Sequence, residues 1–388
     1  MVTGNIYECL SNLEKGSISE KEVLAGISKN EIVLFRGEKT NVLAGKPLAP
    51  RINTSIGISN IDSYRSEVEK IKGIGEFQEG PDIMMDLSIV ESHVPLYKII
   101  QGEIGCPVGT IPYYTCFDEE KGIDDKRLIE KIENLAADGI SFMTMHFTGS
   151  NELLQASKHR RIPVISRGGS LILRDMIIND RKENILLSLM EDIIKIIKKY
   201  EVVLSIGTTF RPSSIFDALD DVQWEELKLQ KGIAKYLMNN GVKVIMEGVG
   251  HLNLKQIESY TKKMRDGIYI PFMPLGPIPT DRAIGADNIS NAIGATFMIY
   301  QGGADIINSV TKEEHTGGIP NINSIEDAIR SAKVVVKTIE ELKFYEALSN
   351  EKMGTYVNCM NKKSETVGCS RCSFECPFKL NERLFDSV

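Results

Sequence analysis

From residue 51 onward the chain alternates between short apolar, β-branched runs and longer stretches whose apolar residues recur at helical spacing. The runs are RINTSI (51–56), DIMMDLSI (82–89), CPVGTIP (106–112), GISFMTMH (139–146), IPVIS (162–166), EVVLSI (201–206), VKVIM (242–246), YIPFM (269–273) and ADIINSV (304–310). Between them lie DDKRLIEKIENLAADG, NILLSLMEDIIKIIKKY and WEELKLQKGIAKYLMNNG, the last stopping on Asn-Asn-Gly, a good helix end. Strands that are apolar along their whole length have no solvent side, so they require helices over them and belong in a parallel sheet. About eight such units in roughly 260 residues suit a (β/α)8 barrel better than an open doubly wound sheet. Nine runs for eight strands leave one surplus.

The expected organisation is a short N-terminal helical segment (1–50), a (β/α)8 barrel (51–322), and a C-terminal helix followed by a polar, cysteine-bearing tail (323–388). A length of 388 residues supports a core of that size. A net charge of −7 argues against a general binder of nucleic acid or anionic membranes. No apolar run approaches the ~18 residues of a membrane span, and the N-terminus lacks a signal-peptide core. A cytoplasmic protein is expected.

Barrel active sites are assembled at the C-terminal strand ends and the loops beyond them. The first run ends with Asn53 and Ser55, the second with Asp86 and Ser88, and the third leads into Tyr113-Tyr114. The fourth ends on His146, the fifth enters SRGGS (166–170), the sixth GTTFRPSS (207–214) and the seventh EGVGH (247–251). A later run leads to TKEEH (311–315). One polar loop means little, but recurrence at one end of nearly every strand points to a site. SRGGS reads either as an anion nest, with exposed backbone N–H groups beside a hydroxyl and a guanidinium, or as an ordinary strand-to-helix turn. FRPSS, with Arg211, is a weaker version. His93 and His159 read as solvated. His146, His251 and His315 are each more often structural when taken singly, but as a set on one rim they suit two metal ligands and a substrate-contacting imidazole. Glu247, four residues before His251, is a candidate acid/base group.

Seven cysteines, an odd number, in a chain without a secretion signal argue against a disulfide framework. Cys9, Cys106, Cys116 and Cys359 are scattered and read as small buried apolar residues. Cys369, Cys372 and Cys376 share one short loop. Structural zinc takes four protein ligands, and a fourth would have to come from Cys359 or a distant His. A [4Fe–4S] cluster accepts three thiolates and leaves one iron open, a vacancy that radical enzymes use to chelate S-adenosylmethionine (SAM). The spacing favours the cluster over zinc.

These residues fall in an order that resembles the radical-SAM phosphomethylpyrimidine synthases of thiamine biosynthesis (ThiC), together with the paralogous anaerobic 5-hydroxybenzimidazole synthases. The resemblance runs from about Arg51 to the C-terminal cysteines. It is carried by RINTSIGIS, IMMDLS, CPVGTIPYY, FMTMH, ISRGGS, LSIGTTFRP, VIMEGVGH, PLGPIPTD, NAIGA and VTKEEH.

The resemblance implies a (β/α)8 barrel in a homodimer with exchanged tails, acting on 5-aminoimidazole ribotide with SAM, a [4Fe–4S] cluster and a low-potential electron donor. Position by position, Ser166, Arg167 and Gly168 match the phosphate-binding segment. Asn53 or Ser55, Met85, Tyr114, His146, Arg211 and Glu247 match substrate-contacting positions, with Tyr114, His146 and Glu247 as the catalytic candidates. His251 and His315 match a mononuclear zinc or iron site, and Cys369, Cys372 and Cys376 the cluster ligands. Three positions depart from the family pattern. The cysteine spacing is x2 then x3 rather than x4, Thr208 replaces an Asp, and Asn308 replaces a common Cys. The leading expectation is the thiamine pyrimidine reaction, and the first alternative is 5-hydroxybenzimidazole synthesis. Two others keep the barrel but drop the radical chemistry: a zinc-dependent lyase or hydrolase, and a non-catalytic phosphoriboside binder.

Overall fold

Eight of the nine apolar runs become strands of one parallel ring. A computed structural model describes residues 18–348 of the protein. A helix (Glu20–Ser28) leads into an antiparallel hairpin, β1 (Ile32–Phe35) and β2 (Val42–Gly45). The barrel then begins with β3 (Arg51–Ile56), β4 (Ile83–Asp86) and β5 (Val108–Thr110). After a small hairpin, β6 (Phe117–Asp118) and β7 (Gly122–Ile123), it continues with β8 (Phe142–Met145), β9 (Val203–Ile206), β10 (Val244–His251), β11 (Phe272–Ile278) and β12 (Ile306–Asn308).

The strand order β12-β3-β4-β5-β8-β9-β10-β11 follows the chain. The ring closes where Asp305 N–H donates to Phe272 O at 2.9 Å. Helices Tyr64–Gly75, Leu96–Glu103, Asp125–Ala137, Asp221–Asn239, Leu254–Arg265 and Asp287–Tyr300 follow successive strands, as right-handed crossovers require. A final helix spans Ile322–Leu348. The result is the (β/α)8 barrel expected from the alternation.

The surplus run is IPVIS. It is irregular, and Ile162 and Ile165 are 46% and 45% exposed. β8 pairs directly with β9, Phe142 opposite Val203 through Met145 opposite Ile206, so no slot remains between them. Pro163 also lacks the N–H a central strand must donate. The 57 residues between those strands instead hold helices Asn151–Ala156, Arg167–Ile178, Ile185–Ser188 and Met190–Tyr200. Arg160 ties this excursion down: it grips Asp220 through Nε at 2.7 Å and Nη2 at 2.6 Å, and donates through Nη1 to Phe210 O.

The N-terminal segment plugs the opposite end of the barrel. Phe35 packs edge-on against Phe142, ring centroids 5.3 Å apart. Asn30, at φ 60°, donates through Nδ2 to Val244 O and accepts from Val244 N–H through Oδ1, both at 2.9 Å. One side chain thus supplies the partner that the first residue of β10 lacks. Asn tolerates the left-handed conformation and Ala does not. Asn30→Ala is expected to lower unfolding free energy by about 2–4 kcal/mol, and Asn30→Gly by about 1 kcal/mol less, as read by urea titration.

Candidate active site

β8, β9 and β10 turn Thr144, Ser205 and Glu247 toward one another inside the ring. Glu247 Oε1 accepts from Thr144 Oγ1 at 2.7 Å and from Ser205 Oγ at 2.6 Å. Burial pushes the Glu247 carboxyl above the usual range, and the two hydroxyls and the Arg211 charge pull it part of the way back. Arg211 lies half-buried on the loop after β9, where burial weakens its hold on its proton and Tyr114 and Glu247 strengthen it.

Two residues one turn apart on helix Asp221–Asn239 hold these strand ends. Gln230 Nε2 lies within donating distance of the carbonyls of Ile206, Gly207 and Glu247, at 3.2, 3.1 and 2.8 Å. Glu226, fully buried, accepts from Thr148 Oγ1, Thr208 Oγ1 and Thr209 N–H, each at 2.6 Å, and from Phe210 N–H at 3.0 Å. The hydroxyl of Thr208 is therefore committed to Glu226.

His146 follows β8 directly and is buried, with Nδ1 2.6 Å from Tyr113 Oη. Its backbone carbonyl accepts from Asn184 Nδ2 at 2.9 Å. Glycines close over the ring: a Cβ on Gly168 would stand 2.5 Å from His146 Cε1, and one on Gly207 2.8 Å from it. Burial, and secondarily the charge of Arg211, pushes the imidazole down to about 3, so it stays neutral. Burial also raises the Tyr113 phenol, which keeps its proton and donates it to Nδ1, leaving the ring hydrogen on Nε2. The neighbouring Tyr114 is pushed up to about 12, chiefly by burial. The Arg167 guanidinium lies 5.9 Å from the Tyr114 ring.

SRGGS follows an irregular segment rather than a strand. Ser166 caps helix Arg167–Ile178, its Oγ accepting from Gly169 N–H at 3.1 Å. Arg167 is exposed and, with Ser55, Ser59, Lys70 and Thr311, lines an open cavity of about 330 Å³ at the barrel mouth. Met85 is buried directly opposite Ser55 on β4. Asn53 is fully buried one layer below Ser55 on the same face of β3. Asp86 and Ser88 serve the fold instead: Asp86 accepts from Ser88 N–H at 2.9 Å and Tyr97 N–H at 3.0 Å, fixing the turn after β4.

His251 closes β10, and His315 lies in the loop after β12. Their Nε2 atoms are 3.1 Å apart. His251 Nδ1 lies 2.8 Å from Asp281 Oδ1 and His315 Nδ1 2.7 Å from Asp287 Oδ1. Each carboxylate takes the Nδ1 hydrogen and leaves an Nε2 lone pair facing the other ring, an arrangement that only a shared proton or a cation satisfies. Two metal–nitrogen bonds of ~2.0–2.1 Å at right to tetrahedral angles place nitrogens about 2.9–3.4 Å apart, which brackets the observed separation. Among the described residues no third His, Cys, Asp or Glu joins the pair.

Residues 3–354 match the radical SAM ThiC family. The chain belongs to that family. It is 37% identical over 301 residues to the phosphomethylpyrimidine synthase of Carboxydothermus hydrogenoformans, covering 75% of this chain and 69% of the relative. It is 35% identical over 297 residues to that of Finegoldia magna, covering 75% and 68%. To that of a Thermoanaerobacter species it is 33% identical over 338 residues, covering 83% and 77%. Membership makes this chain an enzyme of the radical-SAM class, for which a [4Fe–4S] cluster and SAM are the cofactors. The ThiC match ends before Cys369, Cys372 and Cys376, which lie outside the described residues, as do Cys9 and Cys359. Cys106 and Cys116 are buried, and His93 and His159 are exposed. No helix among the described residues is long and apolar enough to cross a membrane.

Thr144, Ser205, Glu226, Asp281 and Asp287 were not singled out as site residues from the sequence, and Tyr113 was named only beside Tyr114, without a role. Tyr113 and Asp281 sit inside the motifs PYY and PTD, where position in a ThiC motif was the available signal. Glu226 offers no local signal, being an acidic residue on an otherwise ordinary helix.

Two outcomes follow from the packing around Glu247 and His146. Thr144→Val removes a donor that favours ionised Glu247, so the carboxyl rises further. The acid limb of the pH–rate profile should then move to higher pH. Gly168→Ala must displace the His146 ring, and kcat/KM should fall by about a hundredfold while the thermal melt stays cooperative.

Proposed function

We propose that this enzyme rearranges 5-aminoimidazole ribotide into hydroxymethylpyrimidine phosphate, the thiamine pyrimidine. The observation that carries the reading is the convergence of Tyr114, His146, Arg211 and Glu247 in one barrel, with Arg167 and Ser55 sharing its mouth and Asn53 below Ser55 on β3. The shared name of the three relatives favours this product over a 5-hydroxybenzimidazole. Membership in a radical-SAM family likewise disfavours a zinc hydrolase or a non-catalytic binder.

In this reading Ser166, Arg167 and Gly168 hold the ribotide phosphate, with the Arg167 guanidinium supplying charge at the mouth. Asn53, Ser55, Met85, Tyr114 and Arg211 surround the substrate. His146 offers its Nε2–H as a neutral donor, since its Nδ1 is occupied by Tyr113. Glu247, which burial pushes above the usual carboxyl range, is the candidate group for exchanging a proton with the substrate. A reduced [4Fe–4S] cluster and SAM, when bound, supply the radical that begins the reaction, and Cys369, Cys372 and Cys376 would hold the cluster. His251 and His315 would hold one zinc or iron ion, with Asp281 and Asp287 orienting the rings. Residues 51–322 form the catalytic unit and 323–388 the cluster-bearing tail. A cytoplasmic homodimer with exchanged tails and a low-potential electron donor complete the proposal.

Anaerobically reconstituted protein incubated with SAM, dithionite and the ribotide should yield 5′-deoxyadenosine and the pyrimidine phosphate by mass analysis. A benzimidazole product would replace the assignment with the paralogous reaction, and absence of 5′-deoxyadenosine would overturn it. Arg167→Ala should weaken ribotide binding by about 1.5–3 kcal/mol, and His251→Ala should remove one equivalent of zinc or iron per chain.

A further inference from the structure

We infer that Asn308 is a positioning residue that turns Asn53 into a hydrogen-bond acceptor, so that this site selects an N–H or O–H donor on the ribotide. The inference rests on the function proposed above and concerns one contact within it.

The orientation of both amides is fixed by a backbone atom. Asn308 lies 2.8 Å from Pro274 O, which can only accept. The NH2 end of Asn308 must therefore face Pro274, and its Oδ1 must face Asn53. Asn53 is 2.6 Å away and meets that oxygen with Nδ2. Asn291 Nδ2 donates to Asn308 O at 2.9 Å and steadies the backbone from the neighbouring helix. Asn53 Oδ1 is left over, buried and without a partner.

Alternation along β3 puts the Asn53 side chain on the inner face of the barrel, one layer below the mouth cavity. Ser55, two residues further along β3 and so on the same side, lines the mouth cavity with Arg167. A buried acceptor without a donor is unfavourable in the free protein. A ligand that brings an N–H or O–H to it relieves that deficit, while a carbonyl or carboxylate there would meet a like dipole. The exocyclic amine and the ribose hydroxyls of an aminoimidazole ribotide are donors of the required kind. A Cys at 308 carries only a weak donor and acceptor and would leave the Asn53 amide free to turn.

The test is ribotide affinity by anaerobic calorimetry on the reconstituted full chain, as a double-mutant cycle. Asn53→Ala and Asn308→Ala should each weaken binding roughly tenfold, and the double variant should be no weaker than Asn53→Ala alone, because Asn308 acts through Asn53. Asn308→Asp is the conservative variant. Its buried carboxyl, kept neutral by desolvation, donates O–H to Pro274 O and accepts from Asn53, so affinity near pH 6 should stay within about threefold of the unaltered protein. This variant decides the matter if Asn308→Ala does not fold. Losses that multiply in the double variant, unchanged affinity in Asn308→Ala, or a tenfold loss in Asn308→Asp would each overturn the inference while leaving the function standing. Unaltered protein that does not bind the ribotide would overturn the function and the inference with it.

Discussion

Charged and polar side chains inside a ring of eight apolar strands are costly unless each is given its own partners, and that requirement shapes this enzyme's interior. Glu247 receives one hydroxyl from β9 beside it and one from β8 beyond that. Glu226 receives two hydroxyls and two backbone N–H groups. His146 is matched by Tyr113, and Asn53 by Asn308. None of these pairings is local in sequence. Each joins different strands, or a strand end to the loop or helix beside it, so satisfying the polar atoms also fixes the strand ends of the candidate site.

Burial then acts differently on different groups. It denies His146 a second proton and raises the Glu247 carboxyl, so the two groups move away from their charged forms together. Arg211 stays the cation among them, with Tyr114 and Glu247 favouring its charge. At the rim the logic reverses. His251 and His315 each have a carboxylate behind them and a lone pair in front, which is an environment that attracts a cation. At the mouth the exposed Arg167 stands at one side, where Lys70 is already paired with Glu67, and the imidazole pair at another.

The strands were legible because a parallel strand buried on both faces must be apolar throughout, and such runs are conspicuous. β3 coincides with RINTSI, while β10 extends five residues past VKVIM, through Gly248 and Gly250, because it bends as it leaves the sheet. IPVIS had the same composition and no place in the ring. Local composition cannot report that β8 and β9 are already paired. The candidate site could be proposed from sequence where a titratable residue ended a strand, as with His146 and Glu247, or sat in a motif, as with Arg167. It was illegible where the contribution comes from behind. Asp281 and Asp287 are meaningful only once His251 and His315 face each other, and Glu226 only once its helix lies against the loop after β9.

Thr208 shows how such a hidden partner changes the meaning of a visible substitution. At this position the family pattern carries an Asp, and read alone the change removes a carboxylate from the substrate's surroundings. With Glu226 in place, the change is also a pairing. The hydroxyl donates to Glu226 Oε2 at 2.6 Å, whereas a carboxylate there would face a second one in a dry environment and one of them would have to hold a proton. With Thr208 the loop carries one buried carboxyl behind it, Glu226, whose oxygens are met by two hydroxyls and two backbone N–H groups.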